Sequence, residues 1–569
     1  MLTNRSVRTL VGFLIIAMPG WVAGAGAPEA QTAAQSNVVE ALTAGLDPAF
    51  GAAGKVSLGI GPGAPGNGAR AQALAIQPDG KIVVAGFAWQ TGTSIDFAVT
   101  RFNQDGSLDQ SFGSGGKVAT DFFGMEDEAQ AVAIQPDGKI VVAGRAAIAA
   151  VTGGVLDFDF ALARYNHDGS LDTGFGSGGK VTTHFGDGRN IGQAVLLQPD
   201  GHIVVGGGAP GVNGGLDFAL ARYSSTGTLD PSFGAGGMVR TDFMGDNDVA
   251  LALALQPDGK LIAAGEAAGD KSIIGTPLGT DFALARYNAN GSLDTTFGVG
   301  GKVTTDFLGA NDVAASVAFS STGKIVVAGT ISHLSLKSDI GLARYNSDGT
   351  LDTAFGTGGK ALSDFASDDG ASALVVLQNG KLVTGGFTRP FGGHSDFEVA
   401  GYNADGSLDA TFGTGGRIST DFLGRDDAAF ALGIQSDGKI VAAGAATTPS
   451  DTQTITDFAL ARYVGGPGPD FGLSFGTPAI TVVPGQVGTL TLSIDRTGGF
   501  TGDIVVTAPD TSAIKVRLDP NSQTVSGATA VFNFKVKRKA PGGPQLLVFS
   551  GKDQSGRERT ATLTMTIQR

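Results

Sequence analysis

Several oxygen-rich turns in the chain have a spacing that suits a hard cation. Asn103, Asp105 and Asp109 stand at positions one, three and seven of an N-x-D-G-[ST]-L-D run. Asn166, Asp168 and Asp172 repeat the set, as do Asn346, Asp348 and Asp352, and Asn403, Asp405 and Asp409; Asn288, Asn290 and Asp294 give a weaker version. Calcium wants about six to eight oxygen ligands, and a Gly after the third position lets such a loop turn sharply. A calcium site is therefore one expectation. The runs lack an acid at the first position and a Glu to close the loop, and Asn-x-Asp-Gly is equally what a plain Asx-type turn requires, so both readings stand.

A second acidic series falls between repeats: Asp127 flanked by Glu126 and Glu128, Asp248 beside Asp246, Asp312, Asp369 after Asp368, and Asp427 after Asp426. Carboxylates gathered around a central opening would attract cations, whereas acids that cap single turns would look the same in sequence. Trp89 is an aromatic able to stack on a sugar or anchor a partner, or to pack on its own hairpin. His167, His184, His202, His333 and His394 share no metal-like spacing, and the absence of cysteine excludes thiolate chemistry, disulfides and Cys metal sites. There is no nucleophile elbow, phosphate loop or dinucleotide fingerprint. Arg101, Arg164, Arg222, Arg286, Arg344 and Arg462 recur once per repeat, which suits architecture better than catalysis. Each is placed to bridge an Asp of L-D-x-x-F-G or T-D-F with paired hydrogen bonds. Catalysis would then rest on paired carboxylates alone, as in a carbohydrate-active enzyme.

The elements that must position these groups come from a repeat. L-D-x-x-F-G-x-x-G-K, Q-P-D-G-K-I-V-V-A-G and D-F-A-L-A-R-Y each occur seven times in fixed order, and the turn glycines of the second motif lie 58, 63, 58, 64, 57 and 58 residues apart. In one copy, residues 129–135 alternate and run into a P-D-G hairpin turn. Residues 139–144, 159–166 and 180–185 supply three further strands. Four antiparallel strands in roughly 60 residues make one propeller blade. The array begins on a lone fourth strand at 55–60 and finishes on a third strand at 457–463. The first strand can therefore complete the last blade and leave no open sheet edge. The predicted fold is all-β: a seven-bladed β-propeller closed by its N-terminal strand, over residues 46–466.

The copies QPDGKIVVAG at 135–144, the D-F-A-L-A-R-Y-N run at 281–294 and TFGVGGKVTTDF at 296–307 resemble the delta-60 repeat family of bacterial proteins. The resemblance spans about 46–463 and implies a β-propeller on an exported protein; the family brings no assigned activity with it. Gly401 departs from it in place of the third-strand Arg, and Ser225-Thr226-Gly227 in place of N-x-D-G. The N-x-D-G turns are also similar to the calcium hairpins of integrin-type propellers. After a Gly/Pro hinge at 465–469 the repeats stop. About seven short strands between 479 and 567 then suggest a small C-terminal Ig-like β-sandwich over 472–569.

Arg5 and Arg8, the apolar run 10–18 and Ala23-Gly24-Ala25 form a secretory signal pattern, so residues 1–25 read as a signal peptide cut after Ala25, with 26–45 as a linker and a short helical stretch at 38–42. The expected place is outside the cytoplasm: secreted, surface or periplasmic. No later segment is long and apolar enough to span a membrane. A formal charge of −14 argues against nucleic acid as a partner. Hydrophobic residues at 42% argue against disorder. Short, nearly identical turns join strands one to two and three to four. The connections from strand two to three (88–95, 146–156, 209–215, 266–280, 331–338, 388–395 and 446–456) differ in every copy. Variable loops on a rigid frame are where recognition sits. The expectation is a monomeric, non-catalytic binding or structural module that offers one propeller face to a protein, glycan or matrix partner. The alternative is a carboxylate-based carbohydrate-active enzyme in the funnel. The basic cluster Lys535, Lys537, Arg538 and Lys539 offers a contact for an acidic surface.

Overall fold

The computed structural model describes residues 45–568 apart from 61–67, 93, 151–155, 213, 269–278, 334–336, 378, 449–454, 465–469, 478, 498–502 and 554–557. The expected signal peptide, the helical stretch at 38–42 and the hinge at 465–469 lie outside the described residues. Among the described residues every element is a strand.

Each repeat builds one antiparallel sheet. The second copy forms Asp127–Ile134, Ile140–Ala150, Leu156–Tyr165 and Lys180–Thr183, paired in that order. Five further sheets repeat the pattern, and a seventh joins Asp427–Ile434, Ile440–Thr448 and Ile455–Val464. The N-terminal strand Lys55–Leu58 pairs with Ile455–Val464 of that last sheet, Lys55 opposite Ala461 and Leu58 opposite Phe458. The expected alternation of the first strand gives way to burial on both faces: Asp127–Ile134 is buried at six of eight positions. Blades stack face to face, so the inner strands have no solvent side, and small residues pack on both surfaces. The apolar cores accordingly lie between blades. Ala73, Val83 and Phe97 of one sheet pack with Ala129, Val132 and Ile140 of the next. Ile60, Ala69 and Ile82 pack with Ala431, Val441 and Phe458 across the two ends of the repeat array.

Two local devices recur. The register between first and second strands slips at a bulge, between Ala129 and Ala131 in the second copy. There a Cβ on Gly144 would stand 1.9 Å from the carbonyl oxygen of Glu128, which explains the glycine that ends V-V-A-G. The repeated Arg is a rivet. Arg101 Nε donates to Asp109 Oδ2 at 2.7 Å, Nη1 donates to the carbonyl of His167 in the next blade at 2.6 Å, and the guanidinium covers the Phe112 ring at 4.6 Å. Arg462 makes the same set with Asp47, the Gln104 carbonyl and Phe50, so this rivet too joins the ends of the array. Tyr165 Oη donates to Thr120 Oγ1 of the preceding blade at 2.8 Å, and Tyr223, Tyr287 and Tyr345 repeat the contact.

The tail forms two sheets over one core. Asp470–Phe475, Val487–Thr497, Thr529–Val536 and Val516–Asp519 make one; Ala479–Val482, Glu558–Ile567, Gly543–Asp553, Ile504–Thr507 and Ser522–Val525 make the other. Leu492, Ile504, Phe532, Phe549 and Met565 fill the space between. Asp470–Phe475 and Ser522–Val525 go beyond the seven strands read from pattern. Both are edge strands, whose outer side needs no apolar signal. Lys535, Lys537, Arg538 and Lys539 are all exposed, with Val536 buried between them.

Candidate functional site

A four-stranded meander puts the turns between strands one and two, and three and four, at one end, and the connections from two to three and from blade to blade at the other. The two acidic series separate on this rule.

At the uniform end the aspartate of each N-x-D-G turn accepts protein donors. Asp105 Oδ1 accepts the Ser107 N–H at 2.9 Å and its hydroxyl at 2.6 Å. Asp168 with Ser170, Asp348 with Thr350 and Asp405 with Ser407 do the same. Asn103, Asn166 and Asn403 turn their amide nitrogens toward the serine four residues on, and Asn346 toward Thr350. The seventh-position acid is an ion-pair partner: Asp109 of Arg101 and Lys81, Asp172 of Arg164 and Lys139, Asp352 of Arg344 and Lys324, and Asp409 of Lys381. The Lys139 ammonium, against the opposing pull of burial, holds Asp172 below the usual carboxylate range. Turn hydrogen bonds and ion pairs from the arginine and lysine of the same repeat thus already engage these acids.

At the variable end the second series is buried. Asp127, Asp248, Asp312 and Asp369 have no exposed surface and Asp427 has 1%. Each sits within one residue of the start of a first strand and accepts the N–H of the preceding [ST]-D-F phenylalanine: Phe122 to Asp127 at 2.6 Å, Phe243 to Asp248 at 2.7 Å, Phe307 to Asp312 at 2.8 Å, Phe365 to Asp369 at 3.1 Å and Phe422 to Asp427 at 2.8 Å. Burial pushes Asp127 and Asp312 up to about 7, and Asp248 and Asp427 to about 6.

Two more acids meet each of them. Asp96, Asp121 and Asp127 converge, each offering one oxygen within 4.8 Å of the others, and so do Asp217, Asp242 and Asp248; Asp281, Asp306 and Asp312; Asp339, Asp364 and Asp369; and Asp396, Asp421 and Asp427. The first acid of each group opens D-F-A-L-A-R-Y and the second belongs to T-D-F. The middle acid also closes its own turn, Asp121 Oδ1 accepting the Gly124 N–H at 2.6 Å. Motif counting alone missed these groups. The signal was available, since strand starts one and three and the end of strand four meet at one end of a meander.

Trp89 is not in a loop. It is the penultimate residue of strand Ile82–Gln90, opposite Ile95 and half-buried, with its main-chain N–H donated to the Gly68 carbonyl. The connections from strand two to three are shorter than expected because their flanks continue as strand, as in Ile140–Ala150 and Leu156–Tyr165. Apolar side chains are exposed at the same end. Phe123, Met244, Leu308 and Leu423 follow the T-D-F motif at 52, 39, 43 and 43% exposure, and Val212 and Phe391 stand in strand-two-to-three connections at 87 and 104%.

Seven stretches, 77–112, 135–175, 198–233, 256–297, 320–355, 377–412 and 435–463, match the family described as "Domain of unknown function (DUF5122) beta-propeller". No curated protein sequence matches the chain. Solved structures with a distant likeness include a PL25 ulvan lyase bound to -[GlcA(1-4)Rha3S]-, at 10% identity and TM-score 0.34 over 76% of this chain and 92% of that one. A GH43_12 protein from a capybara gut metagenome is similar at 10% identity and TM-score 0.26, over 93% and 92%. A tetra-tandem repeat from the extending region of a large adhesion protein gives 12% identity and TM-score 0.14, over 84% and 96%. No functional argument rests on likenesses of this size. The match that recurs once per blade is the informative one: this chain is a repeat β-propeller protein whose blades are similar to the DUF5122 family.

Proposed function

We propose that the chain is an exported binding or structural module, in which a closed seven-bladed ring presents its variable end to a protein, glycan or matrix partner. Closure is supported by Lys55–Leu58 completing the last sheet and by the Arg462–Asp47 rivet. The two-sheet tail is read as an Ig-like spacer or attachment module. The charged start, apolar run and Ala23-Gly24-Ala25 support export of the product.

One observation carries the reading. Phe123, Met244, Leu308 and Leu423 expose apolar surface at one position in four blades, and Val212 and Phe391 add to it at the same end. Exposed apolar groups that gather on one surface mark an interaction site. The test is a screen of the purified chain against glycan and extracellular-matrix arrays, repeated with Phe123→Ser/Leu308→Ser/Phe391→Ser. Val299→Ser, exposed at 86% in a turn at the uniform end, is the control. Binding that the triple variant loses and the control keeps supports the reading. Binding indifferent to the triple variant, or cleavage of a bound glycan, overturns it.

A further inference from the structure

We infer that the acid clusters Asp96/Asp121/Asp127 and Asp281/Asp306/Asp312 each bind one calcium ion, which would tie a third strand, a blade-to-blade connection and the following first strand together at the variable end. The geometry fits. Oxygens around calcium lie about 2.3–2.6 Å from the ion, so ligands on opposite sides are about 5 Å apart at most. The three carboxylates of each cluster already offer oxygens within 4.8 Å of one another. Main-chain carbonyls and water would complete the shell.

Acidic groups often gather without an ion, and a second observation sets these two clusters apart. Asp127 and Asp312 are fully buried, and Oδ1 of each has no hydrogen-bond donor. In three other clusters that oxygen is engaged: Asp248 by the Ala268 N–H, Asp427 by the Thr447 N–H, and Asp369 by Ser367 and Thr388. A buried carboxylate oxygen without a donor is costly, and a bound cation would remove that penalty. The adjacent lysines do not supply the contact. Lys180 Nζ donates to the main-chain oxygen of Asp121 at 2.9 Å, and Lys360 Nζ to that of Asp306 at 3.0 Å.

The repeat also contains its own control. In two blades the set is broken, and both partner acids are replaced together. The second copy has Asp159, His184 and Asn190, with His184 Nδ1 2.8 Å from Asp159 Oδ1 and the Asn190 amide donating to the Phe158 and Gly186 carbonyls. The last has Asp457, with Gly59 and Ala69 at the other two positions. Where the chain supplies its own imidazole, the second and third carboxylates are absent. Joint replacement is expected of residues that share one ligand.

The proposal stands on the clusters alone and is read without any partner. The full chain, stripped with chelator, is titrated with calcium by calorimetry up to about 10 mM, which covers the weak extracellular range. Two double variants are compared, Asp127→Ala/Asp312→Ala and Asp121→Ala/Asp306→Ala. The second removes the less buried acids and keeps the fold if the first does not. The expected result is that a double variant with the parent circular dichroism takes up two calcium equivalents fewer, and that its melting temperature no longer rises with calcium. No uptake by the parent chain, or uptake unchanged in Asp121→Ala/Asp306→Ala, overturns it.

Discussion

The two ends of each blade carry the same residue type under opposite conditions. At the uniform end Asp294 lies between Arg286 at 2.8 Å and Lys260 at 2.8 Å, and the Lys260 ammonium leads the groups that hold it well below the usual carboxylate range. At the variable end Asp312, which opens the next blade, is itself buried where two other acids meet it, and burial pushes it up to about 7. The first arrangement is self-sufficient: charge, hydrogen bonds and stacking are all satisfied by protein groups of the blade and its neighbour. The second leaves charge that only a proton or a cation can balance. Scaffold chemistry and candidate binding chemistry are thus segregated by blade end.

Substitution at the paired end should have the largest effect. Asp294→Ala leaves Arg286, itself 5% exposed, without its carboxylate. Breaking such a buried pair is expected to destabilise by about 3–5 kcal/mol, read as a lower midpoint in urea. An unchanged midpoint would mean that the rivet is ornamental.

The next effect comes from a buried acid whose ion pair, with Arg417, is long at 3.9 Å. Glu398 replaces a small residue in the sixth blade's D-F-E-V-A-G-Y, is 1% exposed, and has no hydrogen bond to either oxygen. Burial pushes it from 4.5 up to about 8. Below pH 4.5 the folded and unfolded chains are both protonated. Between 4.5 and about 8 only the unfolded chain ionises, so stability falls as pH rises, by up to about 1.4 kcal/mol per pH unit. Glu398→Gln should remove that slope. The gap in melting temperature between variant and parent should widen from pH 5 to pH 8, and a gap constant with pH would show that Glu398 is ionised in the fold.

Asp312→Asn tests the sign of the comparison directly. In chelator it should be neutral or stabilising by about 1–2 kcal/mol at pH 8, since it removes a buried charge and keeps an acceptor for the Phe307 N–H. Asp294→Asn should destabilise under the same conditions. Equal signs in a urea melt would dissolve the distinction between the two ends. The smallest effect belongs to the exposed turn acids. Asp105→Asn keeps an oxygen for both bonds from Ser107 and should shift stability by no more than about 0.5 kcal/mol; a larger loss of melting temperature would show that its charge matters.

Much of the fold could be read from local chemistry. The P-D-G and N-x-D-G turns impose hairpins wherever they occur, and three motifs in fixed order mark out the blades. The role of Arg101 and its counterparts was legible because a group needed once per blade is architectural. The burial of Asp127 was not legible. Its neighbours Glu126 and Glu128 make the segment look solvated, and only the stacking of adjacent blades removes Asp127 from water while leaving the other two half-buried. Trp89 looked like a loop residue because nothing local shows that its strand continues to Gln90 opposite Ser94. The edge strand Asp470–Phe475 is held by pairing with Val487–Thr497, a partner whose effect does not show in its own sequence.

By itself, then, the sequence determined most blade strands, the turns, the repeat count and the Arg–Asp pairs within a repeat, because these depend on contacts within a few tens of residues. Tertiary structure alone decided which acids meet. Asp96, Asp121 and Asp127 come from three separate motifs, and their shared charge exists only once a third strand, a connection and the next blade's first strand close on one another.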